Sequence, residues 1–156
     1  MCGPQNPDAP NPDDLHLTLE ADPLAVRVAL CDVMRGLEPR RLTGEQLGTL
    51  ELILAEVLNN VVEHAYAQLT GVIELSIRTE TGLLWCEVAD HGEPMPDGRP
   101  PEGQSARVDV AIQDLPEGGF GWFLIRSLTR DLTYRRDGET NRLCFALDLE
   151  GSALVA

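Results

Sequence analysis

ELILAEVLNNVVEHAYA, residues 51–67, decides how the rest of the chain is read. Apolar residues recur at Leu54, Val57, Leu58, Val61, Val62 and Ala65, the i, i+3, i+4 spacing of one helix face. The helix begins upstream, where Thr43 with Gln46 three residues on forms a capping box. It takes in Leu47 and Leu50, and its periodicity predicts helix to about Ala67. Inside this apolar segment stand Glu56, Asn60 and His64, four residues apart and so nearly on one face. A carboxylate and an amide are costly to bury without partners. The segment is therefore either a plain solvated face or one turned toward a ligand. A hard cation such as Mg²⁺, which takes oxygen ligands and keeps its waters when it rides on phosphates, suits Asn60. Glu56, one turn earlier, can orient or deprotonate an attacking hydroxyl.

Working outward, residues 1–13 are rich in Pro, Asn and Asp and read as a disordered lead-in. With no basic region and no apolar stretch there, no signal peptide is expected. Leu15, Leu17 and Leu19 alternate with polar residues as a short strand. Asp22-Pro23 opens a helix, a capping carboxylate followed by proline in the first turn. That helix runs through Leu24, Val28, Leu30 and Val33 to about Gly36. Beyond the long helix, 71–79 and 83–89 read as strands, the first with Val72, Glu74, Leu75 and Ile77 in imperfect alternation. Residues 90–119 are rich in Pro and Gly and too long for an ordinary connection, which points to disorder or to a functional lid at about 93–118. Helix resumes after Gly119, with a stripe of Phe120, Phe123, Leu124, Ile125 and Leu128. Segments 132–136 and 141–149 pair as strands around Asp137-Gly138, and 150–156 is a C-terminal tail. The order implies one domain over 14–149, an α/β (α+β) two-layer sandwich with an antiparallel-dominated sheet and helices on one face.

Two further places can carry chemistry. Asp90-His91-Gly92 ends an apolar strand. A carboxylate there can accept from an exocyclic amine such as that of adenine, and the glycine lets a ring approach the backbone; a plain turn fits the same residues. Gly118-Gly119-Phe120-Gly121 leads into a helix, where free N–H groups and the dipole favour an anion. It is neither a Walker A loop nor a dinucleotide-binding fingerprint. His16, His64 and His91 have no metal-ligand spacing, and no nucleophile motif is present. The chain has 156 residues, a formal net charge of −14 and a sequence pI near 4.4. That balance argues against nucleic acid or an anionic membrane as the main partner, while backbone N–H groups can still hold one phosphorylated ligand. No run is apolar over the ~18 residues of a membrane helix. Cys2, Cys31, Cys86 and Cys144 form no CxxC pair and are expected to be free thiols in a reducing compartment.

In order and spacing, ELILAEVLNNVVEHAYA, then WCEVADHGEPMP (85–96), then LPEGGFGWFLIRSLTRDLTYRRDGETNRLCFAL (115–147), resemble the N, G1 and G2 boxes of the GHKL ATPase superfamily. The form E-x₃-N-x₃-HAY looks most like the anti-sigma factor serine/threonine kinases of the RsbW and SpoIIAB type, over roughly residues 15–149. The resemblance implies a Bergerat-type fold with a mixed, mostly antiparallel sheet. It implies Glu56 as general base, Asn60 as the Mg²⁺ ligand, and His64 near the phosphates. It implies Asp90 and Gly92 at adenine, Gly119 and Gly121 at phosphate, and Thr140 beside Asp90. The cofactors implied are ATP and Mg²⁺. The expected activity is a cytoplasmic protein-serine/threonine kinase acting as an anti-sigma factor in a partner-switching pathway. Its implied partners are an STAS-domain antagonist, which it phosphorylates, an RNA polymerase sigma factor, and a second copy in a homodimer. The alternative is an ATP-binding switch that sequesters a partner without transferring phosphate; a detached histidine-kinase ATP domain is a further rival. Trp122, Met95 and the proline-rich lid depart from the usual pattern.

Overall fold

The computed structural model describes residues 14–102 and 119–149. Along the chain these form β1 (Leu15–Glu20), α1 (Pro23–Gly36), a 3-10 turn (Glu38–Arg40), α2 (Gly44–Asn60) and a π-helical turn (Val61–Ala65). There follow β2 (Val72–Glu80), β3 (Leu83–Asp90), a 3-10 turn (Pro96–Gly98), α3 (Gly119–Leu128), β4 (Arg130–Asp137) and β5 (Thr140–Asp148). The expected lead-in 1–13, the tail 150–156 and the lid from 103 to 118 lie outside the described residues.

Local chemistry sets the helix starts. Asp22 caps α1 by accepting from Ala25 N–H at 2.9 Å, with Pro23 in the first turn. Thr43 Oγ1 accepts from Gln46 N–H at 3.0 Å, and Gln46 Oε1 accepts from Thr43 N–H at 2.8 Å, completing the capping box of α2. Each cap is worth about 1 kcal/mol. The expected continuous helix to Ala67 instead widens after Asn60. Tyr66 N–H bonds to Val61 O at 3.0 Å, five residues back. Such π turns recur at functional sites.

The sheet runs β1-β2-β3-β5-β4. All four pairings are antiparallel, so among the described strands the sheet is antiparallel throughout rather than mixed. Thr81 and Gly82, at φ +49° and +77°, close the β2–β3 hairpin with the two left-handed residues that match strand twist. On β2 the buried parity is Ile73, Leu75 and Ile77, with Glu74 exposed, and this resolves the imperfect alternation of the sequence. Ile73, Leu75 and Ile77 join Leu84 and Val88 of β3 and Leu143 and Phe145 of β5 under the helices. Val33 of α1, Leu54 and Leu58 of α2, and Ile125 of α3 close the same core. Each fully buried side chain of this kind contributes roughly 1.5–3 kcal/mol. On α3 the inward residues are Trp122 and Ile125, whereas Leu128 is exposed, which narrows the expected stripe. On the sheet's other face Arg142 pairs with Glu87 at 3.7 Å. Cys31 and Cys86 are free thiols. Cys144 is disulfide-bonded, which overturns the expectation of four free thiols and with it the cysteine argument for a reducing compartment.

Candidate functional site

Between α2, the carboxyl end of β3, α3 and the β4–β5 hairpin lies a cavity of about 530 Å³. That is the size of a small-molecule site. Val57, Asn60, Val61 and His64 form one wall, and Val88, Asp90, Asn141 and Leu143 the floor. Met95, Trp122 and Tyr134 close the remaining sides. The walls are mostly apolar, and Asp90 and Asn141 are the two buried polar residues among those described.

At the floor, Asp90 Oδ1 accepts from Gly92 N–H at 2.8 Å and from Asn141 Nδ2 at 2.7 Å. Among the described residues both of these bonds fall on Oδ1, and none is made to Oδ2. Gly92 is buried behind the cavity rather than lining it. A Cβ there would strike the carbonyl oxygen of Ala65, which itself accepts from Glu93 N–H at 2.8 Å. The small residue of the HAY segment and the glycine after Asp90 are thus two sides of one backbone contact. Tyr66 braces the same corner: its hydroxyl donates to Val72 O at 2.8 Å and accepts from His91 N–H at 2.8 Å. Burial raises the Tyr66 pKa above its ordinary value of 10.0, opposed by the His91 N–H and assisted by the negative charges of Asp90 and Glu74. Burial likewise pushes up the Cys86 thiol, which stays neutral in the core.

At the other end, Asn60 turns its amide into the wall, where Nδ2 is buried with no hydrogen-bond partner. Leaving such a group unpaired costs about 1–3 kcal/mol. Glu56, half-buried one turn earlier, meets the first turn of α3: a Cβ on Gly121 would run into the Glu56 carboxylate, with Asn60 Nδ2 at 4.0 Å. The first N–H groups of a helix have no intrahelical partner and carry the positive end of its dipole. Gly119 begins this helix. The unpaired amide, the bare glycine and the helix start fit a phosphate chain carrying a divalent cation. Among the described residues no group of three His, Cys, Asp or Glu can hold a metal. A cation here would therefore depend on phosphate oxygens as well as on Asn60.

Of the residues expected from sequence, Asn60, His64 and Asp90 line one cavity, Glu56 and Gly121 pack together at its edge, and Gly92 shapes it from behind. Thr140 does not join them. Its hydroxyl meets His91 Nδ1 at 3.2 Å away from the cavity, because strand alternation turns it to the opposite side from its neighbour. The residue facing Asp90 across the β3–β5 ladder is Asn141. Asn141, Tyr134 and Trp122 also line the cavity and were not expected there. For Asn141 and Tyr134 the signal is the hairpin register, which becomes readable only once β5 is known to pair with β3; Trp122 comes from the inward face of α3.

The fold and this site define a histidine kinase-like ATPase domain. The chain belongs to that family, whose model matches residues 19–147. It is similar to the serine-protein kinase RsbW of Halalkalibacterium halodurans, 28% identical over 128 residues that cover 81% of this chain and 78% of the relative. RsbW of Bacillus cereus is 26% identical over 95 residues, covering 60% of this chain and 59% of the relative, so the chain spans about three fifths of that protein. Among solved structures, the RsbU and RsbW domains of Rv1364c from Mycobacterium tuberculosis superpose with a TM-score of 0.60 at 18% identity. The match covers 90% of this chain and a third (33%) of that one, and it shows a shared fold. The blue-light activated histidine kinase of Erythrobacter litoralis EL346 superposes with a TM-score of 0.52 at 25% identity, over 71% of this chain and 33% of that one. Among the described residues no helix is long and apolar enough to cross a membrane.

Proposed function

We propose that this domain is an ATP-dependent protein-serine/threonine kinase acting as an anti-sigma factor in a cytoplasmic partner-switching pathway, with an STAS-domain antagonist as its phosphorylation substrate. A sigma factor is its second partner, and it works as a homodimer. The observation that carries this reading is one cavity with two chemically different ends. A buried carboxylate, Asp90, stands at one end, while at the other Asn60, Glu56 and Gly121 gather a buried unpaired amide, a carboxylate and a bare glycine in the first turn of α3. The serine-protein kinases among its relatives support the same reading.

In this mechanism Asp90 accepts the adenine amine, and the apolar walls of Val88, Leu143 and Met95 hold the base by contact. Asn60 would hold the cation at the phosphates, with His64 and the first turn of α3 as further contacts for the phosphate chain. Bound Mg²⁺ would neutralise charge on the phosphate oxygens. Glu56 accepts the proton of the incoming serine hydroxyl as its oxygen bonds to the γ-phosphorus. The bond from that phosphorus to the β–γ bridging oxygen breaks, and ADP leaves.

The test is radiolabelled transfer from γ-labelled ATP to a purified STAS-domain protein from the same organism, with wild type and Glu56→Gln compared. Removing one positioned base typically costs ~10²–10⁴-fold in rate and leaves ground-state binding nearly intact. Unchanged transfer in the variant removes Glu56 from the mechanism. Tight MgATP binding and a stable partner complex without any wild-type transfer would favour the sequestering switch. No binding of millimolar MgATP by calorimetry would sink the nucleotide-site reading itself.

A further inference from the structure

We propose that Asn141 is the positioning residue that makes Asp90 a reader of six-amino purines, so that this amide sets the preference for adenine over other bases. The inference rests on the nucleotide reading above and adds to it the source of its base selectivity.

Asn141 is 3% exposed and its hydrogen-bonding capacity is used in full. Its Nδ2 donates to Asp90 Oδ1 at 2.7 Å, to Glu93 O at 3.0 Å and, more weakly, to Gly92 O at 3.2 Å. Its Oδ1 accepts from the Tyr134 hydroxyl at 2.6 Å and from Arg136 Nη1 at 3.0 Å. An amide has two N–H donors and one oxygen with two lone pairs, so nothing is spare. The orientation is also dictated. Turned over, the amide oxygen would face a carboxylate and two carbonyls, and its NH₂ would face a guanidinium that can only donate.

The consequence falls on Asp90. Held by Asn141 and by Gly92 N–H, Oδ1 is committed to the protein, and the carboxylate cannot rotate. Oδ2 is left toward the cavity as an acceptor with one direction. An exocyclic amine donates to it, a six-oxo group is repelled by it, and a purine with hydrogen at that position gains nothing. Without Asn141 the carboxylate keeps one tether and can turn. The cavity would then still take a purine but no longer tell which one. Tyr134 adds a second tie, since its oxygen accepts from Met95 N–H at 2.9 Å where the chain leaves the site.

The test compares calorimetric affinities for ATP, inosine triphosphate and purine riboside triphosphate, the last lacking any six-substituent. Wild type should favour ATP over purine riboside triphosphate by about 10- to 100-fold, the range of a hydrogen bond to a charged group. Asn141→Leu should lower that ratio about tenfold. A merely structural Asn141 predicts equal weakening for all three and an unchanged ratio, which overturns the proposal. Should Asn141→Leu fail to fold, Tyr134→Phe is read by the same ratio. It removes one donor to Asn141 Oδ1 and leaves the backbone ladder intact; a lowered ratio supports the assignment and an unchanged one overturns it. Wild type that binds all three nucleotides equally also overturns it. Wild type that binds none strikes the nucleotide reading, whereas selectivity kept in both variants strikes only the role of Asn141.

Discussion

Gly121→Ala separates the fold from the chemistry at one atom. Gly121 lies in the first turn of α3 and its φ is not in the left-handed region, so alanine fits the backbone. Relative to glycine it favours the helix by up to about 1 kcal/mol. The added Cβ would collide with Glu56 Oε2, the free end of a flexible side chain rather than a backbone atom. Glu56 gives way by leaving its rotamer well, at a cost of about 0.5–1.5 kcal/mol. The two effects nearly cancel, and the melting temperature should move by less than about 4 °C for a domain of this size. The carboxylate, however, is displaced by an ångström or so, and a misplacement of that order can cost ~10²-fold in rate. The assay is a thermal melt in parallel with labelled-phosphate transfer from ATP to the antagonist protein. A drop of ten degrees or more would refute the argument that the side chain absorbs the collision. Full transfer at an unchanged melting temperature would show that the placement of Glu56 does not matter.

Gly92→Ala should behave oppositely, because its Cβ meets the backbone of Ala65, pinned by the Glu93 N–H. We expect a loss of about 1–3 kcal/mol or more in urea denaturation, and wild-type stability would contradict it. Asn60→Ala should remove the Mg²⁺-dependent part of ATP affinity, since the cation loses its amide oxygen; equal calorimetric affinity with and without Mg²⁺ in wild type would exclude that role. For Tyr66, the folded pKa is raised, so above the unfolded value of 10.0 the folded state binds more protons than the unfolded. Its contribution is whole below pH 10 and is lost as pH rises through the folded value. Tyr66→Phe should therefore flatten the fall of stability on the alkaline side, and identical pH slopes for the two proteins above pH 10 would contradict this.

What was legible in the sequence was local. The two helix caps and the apolar face of α2 are each decided within four residues, and each stands as read. The alternation of β2 was imperfect in the sequence because Val72 and Ile73 are both apolar and only burial against the helices chooses between them. The π turn was invisible because nothing in VVEHA asks for it. It is selected by the Ala65 carbonyl reaching Glu93 across the site. Thr140 was named in place of Asn141 for a related reason. Which of two adjacent residues faces Asp90 depends on a ladder between strands some fifty positions apart, and no local pattern carries that.

The strand order has a consequence in time. β1, β2 and β3 can zip together as they emerge, each beside the strand before it, but β3 keeps a bare edge until β5 slots in between it and β4. Asp90 and Asn141, 51 residues apart, meet only at that moment. A nascent chain therefore carries α2 long before it owns the complete cavity floor. On the function proposed above, nucleotide would reward only the finished sheet. A ligand that binds the closed form alone stabilises it by mass action. In a cell rich in ATP, the last hairpin to dock would be the piece that ligand holds in place.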